Sequence, residues 1–142
     1  NLSTLTLRLY ASSDPYGVQL GGSLKNIIAI ACGISEGLGL GESARTSLMI
    51  RGFSEIYDFA VTLGAQKKTL FGLSGFGDLS LTCNSSKSRN FLMGRNILEN
   101  GSSNDMNLSF KTIEGIRTTE AVLSLAKKLL KLLKNLVLQQ FI

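Results

Sequence analysis

The sequence contains no histidine, no tryptophan, a single proline and only two cysteines, Cys32 and Cys83. Without histidine the chain loses the commonest zinc ligand and the usual base of a serine or cysteine nucleophile, which argues against a metal site and against triad catalysis. Two cysteines so far apart suit free thiols in a reducing compartment, and the expected location is the cytoplasm. No basic segment followed by an apolar stretch opens the chain, so nothing resembles a secretory leader. Because it starts at Asn1 rather than Met, the chain reads as part of something longer. Uninterrupted apolar runs stay well short of the roughly 18 residues of a spanning helix, so a soluble protein is expected. Acid is missing from one stretch: residues 127–142 hold Lys127, Lys128, Lys131 and Lys134 and no carboxylate. The net charge of +5 is therefore mostly a tail effect, since residues 1–126 carry eleven basic and ten acidic side chains. With dispersed arginines and no tryptophan for stacking, nucleic acid is excluded as a partner.

What remains is a chain of 142 residues, 44% hydrophobic, enough for one core and one domain. Residues Leu5 to Tyr10 alternate apolar and polar, the period of a half-buried strand, and are expected to form an edge strand belonging to a missing domain. Asp14-Pro15 is a helix start, because the carboxylate can cap free N–H groups and proline tolerates the first helical position. Leu20, Leu24, Ile27, Ile28, Ala31 and Ile34 then recur at helical spacing, giving a helix from Pro15 to about Ile34 that the Gly-rich run 33–41 ends. A second helix is expected over about Glu42 to Leu63, with Met49, Phe53, Ile56, Tyr57 and Ala60 inward and Gly64 as its stop. Shorter helices are expected near 66–72, 78–83, 88–99 and 118–133, so the domain is mainly α.

Four constellations could carry chemistry. Lys25 has Gly21, Gly22, Ile28 and Ala29 one turn away, so three of its four neighbours are small and another surface or a ligand can approach closely. It is either a lysine snorkelling from a core helix or a functional amine in a crevice. In Gly72-Leu73-Ser74-Gly75-Phe76-Gly77-Asp78 the third glycine of a dinucleotide fingerprint is missing and no strand precedes it, which excludes a Rossmann loop. Asp78 there is either a helix cap or a placed carboxylate. Ser88-Arg89-Asn90, after Ser85-Ser86-Lys87, is either a solvated turn or an anion site, because a helix start offers free N–H groups beside a cation. Glu114, after Thr112, could accept hydrogen bonds from ribose or be an ordinary surface acid.

Together, Asp14-Pro15-Tyr16-Gly17-Val18-Gln19-Leu20-Gly21-Gly22-Ser23-Leu24-Lys25-Asn26, Gly33-Ile34-Ser35-Glu36-Gly37, Gly75-Phe76-Gly77-Asp78-Leu79 with Thr82-Cys83, Ser88-Arg89-Asn90 and Glu114-Gly115-Ile116-Arg117-Thr118 resemble the bacterial-type NAD(P)-dependent glycerol-3-phosphate dehydrogenases, over about Leu7 to Lys128. The resemblance implies a helical substrate-binding domain of the 6-phosphogluconate dehydrogenase C-terminal type, which would sit beside its own Rossmann domain in a chain that forms a homodimer. It implies residues 1–13 as the end of the nucleotide-binding domain, 14–128 as the substrate-binding domain, and 129–142 as an off-pattern Lys/Leu tail. It implies Lys25 as the catalytic lysine and Lys25, Asp78, Ser88, Arg89 and Asn90 as substrate contacts. Arg89, Thr112 and Glu114 would contact NAD or NADP. The implied reaction is reversible hydride transfer between NAD(P)H and dihydroxyacetone phosphate or glycerol 3-phosphate, feeding glycerophospholipid synthesis. Without a nucleotide domain, this stretch alone is expected to be inactive. The competing expectation is a non-catalytic helical module whose amphipathic tail binds a partner or a membrane.

Overall fold

A computed structural model of the chain describes residues 3–99 and 114–139. Among these residues six α-helices and one π-helical turn follow in order: α1 Pro15–Gly37, α2 Gly41–Thr62, α3 Lys67–Phe71, the π turn Leu73–Gly77, α4 Asp78–Asn84, α5 Arg89–Glu99 and α6 Glu114–Gln139. The mainly helical reading holds. The edge strand does not: no strand occurs among the described residues, and Leu5, Leu7, Leu9 and Tyr10 are exposed. The segment bends on itself, the Thr4 N–H donating to the Leu7 carbonyl at 2.8 Å and the Leu7 N–H to the Thr4 hydroxyl at 3.0 Å. A strand needs a neighbour for its backbone groups, and alternation alone provides none.

α1 is the hub, packing against α2, α4, α5 and α6. It is long and apolar enough to cross a membrane, with a mean hydropathy of 1.3. Those apolar groups are instead used on two core clusters. One joins Ala29, Cys32, Met49, Leu79, Cys83 and Phe91, and the other Leu24, Ala60, Ala65 and Leu70. Leu70 and Leu79, at 1% and 2% exposure, each contribute about 1.5–3 kcal/mol by leaving water. Both cysteines are free and fully buried. Hydrogen bonding to Cys32 and then burial push the Cys83 thiol up, while the same hydrogen bond lowers Cys32. Neither is an exposed, activated nucleophile.

The expected stop of α1 at the Gly-rich run is corrected in position. Gly33 lies inside α1, which continues to Gly37, and the turn comes at Gly39 and Gly41, with φ of 66° and 83°. Gly33 serves instead as the crossing point of α5: a Cβ there would lie 2.0 Å from the Phe91 carbonyl oxygen. Gly94 of α5 is its counterpart, where a Cβ would lie 2.0 Å from the Ile30 carbonyl oxygen. The last helix also exceeds its expected span of 118–133 at both ends.

Asp14 caps α1 as read from the sequence, its Oδ1 accepting the Gly17 N–H at 2.8 Å. Its other oxygen, Oδ2, accepts the Gln66 N–H at 2.9 Å, tying the start of α1 to the start of α3. The two backbone donors hold its carboxyl below its ordinary 3.8. A depressed carboxyl stabilises the fold above its unfolded-state pKa, and that contribution is lost as pH falls through the lower folded value. Urea midpoints for wild type and Asp14→Ala should therefore differ most at neutral pH and converge below the ordinary value of 3.8. A difference that stays constant from pH 6 to 2 would contradict the assigned role.

Candidate functional site

The site is built on adjacent residues of α1, Lys25 and Asn26, each facing a different partner. The Lys25 Nζ donates to Asp78 Oδ2 at 2.5 Å, across the start of α4. The two side chains are 20% and 35% exposed, so the pair is partly buried but reachable from solvent. Lys25 thus ends on a carboxylate rather than in open solvent. Asp78 is not the cap of α4 either: that position falls on Gly77, and Asp78 is the first helical residue, with its carboxylate turned to the amine. One turn on, the Thr82 hydroxyl donates to the Asp78 carbonyl at 2.6 Å.

The π turn brings Asp78 to this place. The Asp78 N–H donates to the Leu73 and Gly75 carbonyls, binding it to the turn that precedes it. π turns insert an extra residue into helical winding and recur at functional sites. The expectation that glycines beside Lys25 admit another surface holds at Gly21, where the Ser74 carbonyl approaches; at Gly22 a Cβ would meet nothing within 4 Å among the described residues.

Asn26 is 5% exposed and carries the second cluster. Its Oδ1 accepts from Asn90 Nδ2 at 3.0 Å, and its Nδ2 donates to Glu114 Oε2 at 3.3 Å. Asn90, itself buried, accepts the Gly115 N–H on Oδ1 at 3.0 Å. Two buried amides thus join α1, the start of α5 and the start of α6. Each polar end has a partner, as burial requires. No separate role was read for Asn26 in the sequence. Its signal was a lone amide directly ahead of Ile27-Ile28-Ala29-Ile30-Ala31, where a buried face would otherwise be apolar.

Ser88 caps α5, its Oγ accepting the Phe91 N–H at 3.3 Å. Arg89 is the first residue of α5, and its Nη2 lies 3.6 Å from Glu114 Oε1, with both side chains largely exposed. Such an exposed pair adds under about 1 kcal/mol, so the guanidinium remains available to an anion. Lys25, Asp78, Ser88, Arg89, Asn90 and Glu114 thus lie around one stretch of α1. Thr112 lies outside the described residues. An apolar groove of about 370 Å³ between α1, α2 and α6, lined by Tyr16, Leu20, Phe59 and Val122, includes none of them.

This arrangement joins an amine–carboxylate pair to a helix start that carries a cation. Residues 14–140 match the family model described as NAD-dependent glycerol-3-phosphate dehydrogenase C-terminus. The chain is 52% identical over 125 residues to a glycerol-3-phosphate dehydrogenase [NAD(P)+] of Cereibacter sphaeroides, covering 88% of this chain and 40% of that one. It is also 52% identical over 128 residues to the enzyme of that name from Paracoccus denitrificans, covering 90% and 40%. The crystal structure of glycerol-3-phosphate dehydrogenase from Coxiella burnetii superposes with a TM-score of 0.80 at 42% identity, over 89% of this chain and 39% of that one. The chain therefore spans about two fifths of the length of the relatives it matches. The resemblance read from the motifs holds, and the chain belongs to the NAD-dependent glycerol-3-phosphate dehydrogenase family, of which it carries the C-terminal domain.

Proposed function

We propose that this chain is the substrate-binding half of an NAD(P)-dependent dehydrogenase that interconverts glycerol 3-phosphate and dihydroxyacetone phosphate. The observation that carries the reading is the Lys25–Asp78 pair at 2.5 Å, together with the Ser88-capped start of α5, where the exposed Arg89 guanidinium pairs only loosely with Glu114. Removing hydride from C2 of the alcohol leaves a proton on its oxygen that must go to a base. Lys25, as the amine, takes that proton, and as the ammonium it returns one to the alkoxide in the reverse direction. Asp78 holds the amine in aim, and its charge stabilises the ammonium as it forms.

The phosphate end goes to the start of α5. Ser88, Arg89 and Asn90 are the proposed contacts there, with free N–H groups and a guanidinium suited to an anion. Arg89 and Glu114 also suit a dinucleotide, since one matches phosphate oxygens and the other accepts from ribose hydroxyls; Thr112 is proposed beside them. NAD or NADP, when bound, accepts or supplies the hydride. Residues 1–13 are proposed as the end of a nucleotide-binding domain, 14–128 as the substrate domain, and 129–142 as its tail. The proposed setting is a cytoplasmic homodimer with its own Rossmann domain, feeding glycerophospholipid synthesis; reduced Cys32 and Cys83 suit that compartment.

The test uses a full-length dehydrogenase whose C-terminal domain is this chain. NAD(P)-linked oxidation of glycerol 3-phosphate is expected, and Arg89→Ala should raise the KM for the phosphorylated substrate or for the cofactor by about 10-fold or more. An anion contact made in the ground state is lost in KM, and the loss of one charge-assisted hydrogen bond is worth about 1.5–3 kcal/mol. No turnover of glycerol 3-phosphate by the full-length enzyme would refute the reading.

A further inference from the structure

We infer that Gly21 is a positioning residue: by lacking a side chain it sets how closely the π turn seats on α1, and so where Asp78 meets Lys25. Gly21 is buried one turn before Lys25. A Cβ there would lie 3.0 Å from the Ser74 carbonyl oxygen and 3.4 Å from Gly75 Cα, tighter than ordinary contact against backbone that cannot rotate away. The turn has no room behind it. On its other side Gly75 presses on α3, where a Cβ would lie 2.0 Å from the Leu70 carbonyl oxygen, and Leu70 is 1% exposed. The turn is thus clamped between α1 and the end of α3. Asp78 follows it directly and gives its N–H to two of its carbonyls. A shift forced on Ser74 is therefore passed to the carboxylate rather than absorbed. Glycine is a poor residue in a helix interior, so its presence at this contact has a steric reason that propensity does not supply.

Gly22 is the internal control. It is the next residue of the same helix, and among the described residues a Cβ there would meet nothing within 4 Å. In the full-length dehydrogenase carrying this domain, Gly21→Ala should lower kcat by about 10-fold and Gly21→Val by about 100-fold, since misplacement on the scale of 1 Å costs catalysis on that order. The KM for NAD(P) should hold, and the thermal midpoint of Gly21→Ala should stay near wild type. Gly22→Ala should keep the wild-type kcat. Equal kcat for Gly21→Ala and Gly22→Ala would overturn the inference. So would a Gly21→Ala enzyme that loses thermal stability and cofactor KM together with kcat, because that is loss of packing alone. The inference rests on the proposed role of Lys25. Wild-type kcat in Lys25→Ala would remove both, whereas an impaired Lys25→Ala beside an unimpaired Gly21→Ala would remove only the positioning role.

Discussion

Lys25→Ala, in a full-length dehydrogenase carrying this domain, is expected to lower kcat by about 10² to 10⁴-fold, or about 3 to 5 kcal/mol of transition-state stabilisation. The binding of NAD(P) should barely change. The magnitude follows from the step proposed for the amine, since no other amine or imidazole among the described residues stands against Asp78 to replace it. The chain has no histidine at all, so the common substitute for a proton carrier is absent from this domain. Asp78→Asn should fall between wild type and Lys25→Ala, because an amide still accepts from the amine but no longer stabilises its charge. Steady-state kinetics on both variants, with cofactor binding followed separately, decide the matter. A Lys25→Ala enzyme with near-normal kcat from pH 6 to 9 would reduce Lys25 to a structural ion pair and end the mechanistic reading, while leaving the family assignment in place.

Much of this was legible in the sequence because the relevant signals are local. Asp14-Pro15 starts α1 within the first turn, and Gly64, at φ 98°, stops the second helix where only a residue without Cβ is at ease. The apolar period of α1 marked it as a core helix, and it proved to be the one that all later helices use. What local pattern could not show was pairing at a distance. Leu5 to Tyr10 has strand alternation without a strand, since alternation states which side chains could be buried and not whether a partner backbone is there. Asp14 was read as a cap, which needs three residues of sequence, but its bond to the Gln66 N–H spans a separation that no periodicity records. The sequence leaves Asp78 open between cap and placed carboxylate for the same reason. The answer depended on a π turn, which ends on Gly77 and leaves Asp78 as the first residue of α4, against Lys25 of α1. Asn26 shows the limit most clearly: its identity was visible, but its function as a joint between α5 and α6 exists only once three helices meet.

That joint is tested most severely from the other side of the α1–α5 crossing. Gly94→Ala is expected to destabilise the domain by about 3 kcal/mol or more, a large fraction of the roughly 5–15 kcal/mol of a whole domain. The added Cβ would lie 2.0 Å from the Ile30 carbonyl oxygen, 2.9 Å from its carbon and 3.0 Å from the Ile34 nitrogen. Carbon atoms rest at about 3.5–4 Å from such neighbours, so the two helices must part by more than about 1 Å. Swinging a side chain aside gives no relief, because these three nearest atoms all belong to backbone. Gly33 on the facing helix presses in the same way on Phe91, which means that α5 cannot slide along α1 to find room. Parting the helices lengthens the 3.0 Å bond between Asn90 and Asn26, and a buried amide left unpaired adds about 1–3 kcal/mol to the cost of overpacking. Gly22→Ala supplies the opposite sign from the same chemistry: with nothing among the described residues within 4 Å of the new methyl, it removes a helix-interior glycine and should stabilise by about 0.8–1 kcal/mol. Urea unfolding of the two variants beside wild type measures both. A Gly94→Ala midpoint at or above that of wild type would show that the crossing is looser than these distances require, and that Asn26 and Asn90 are not held by it.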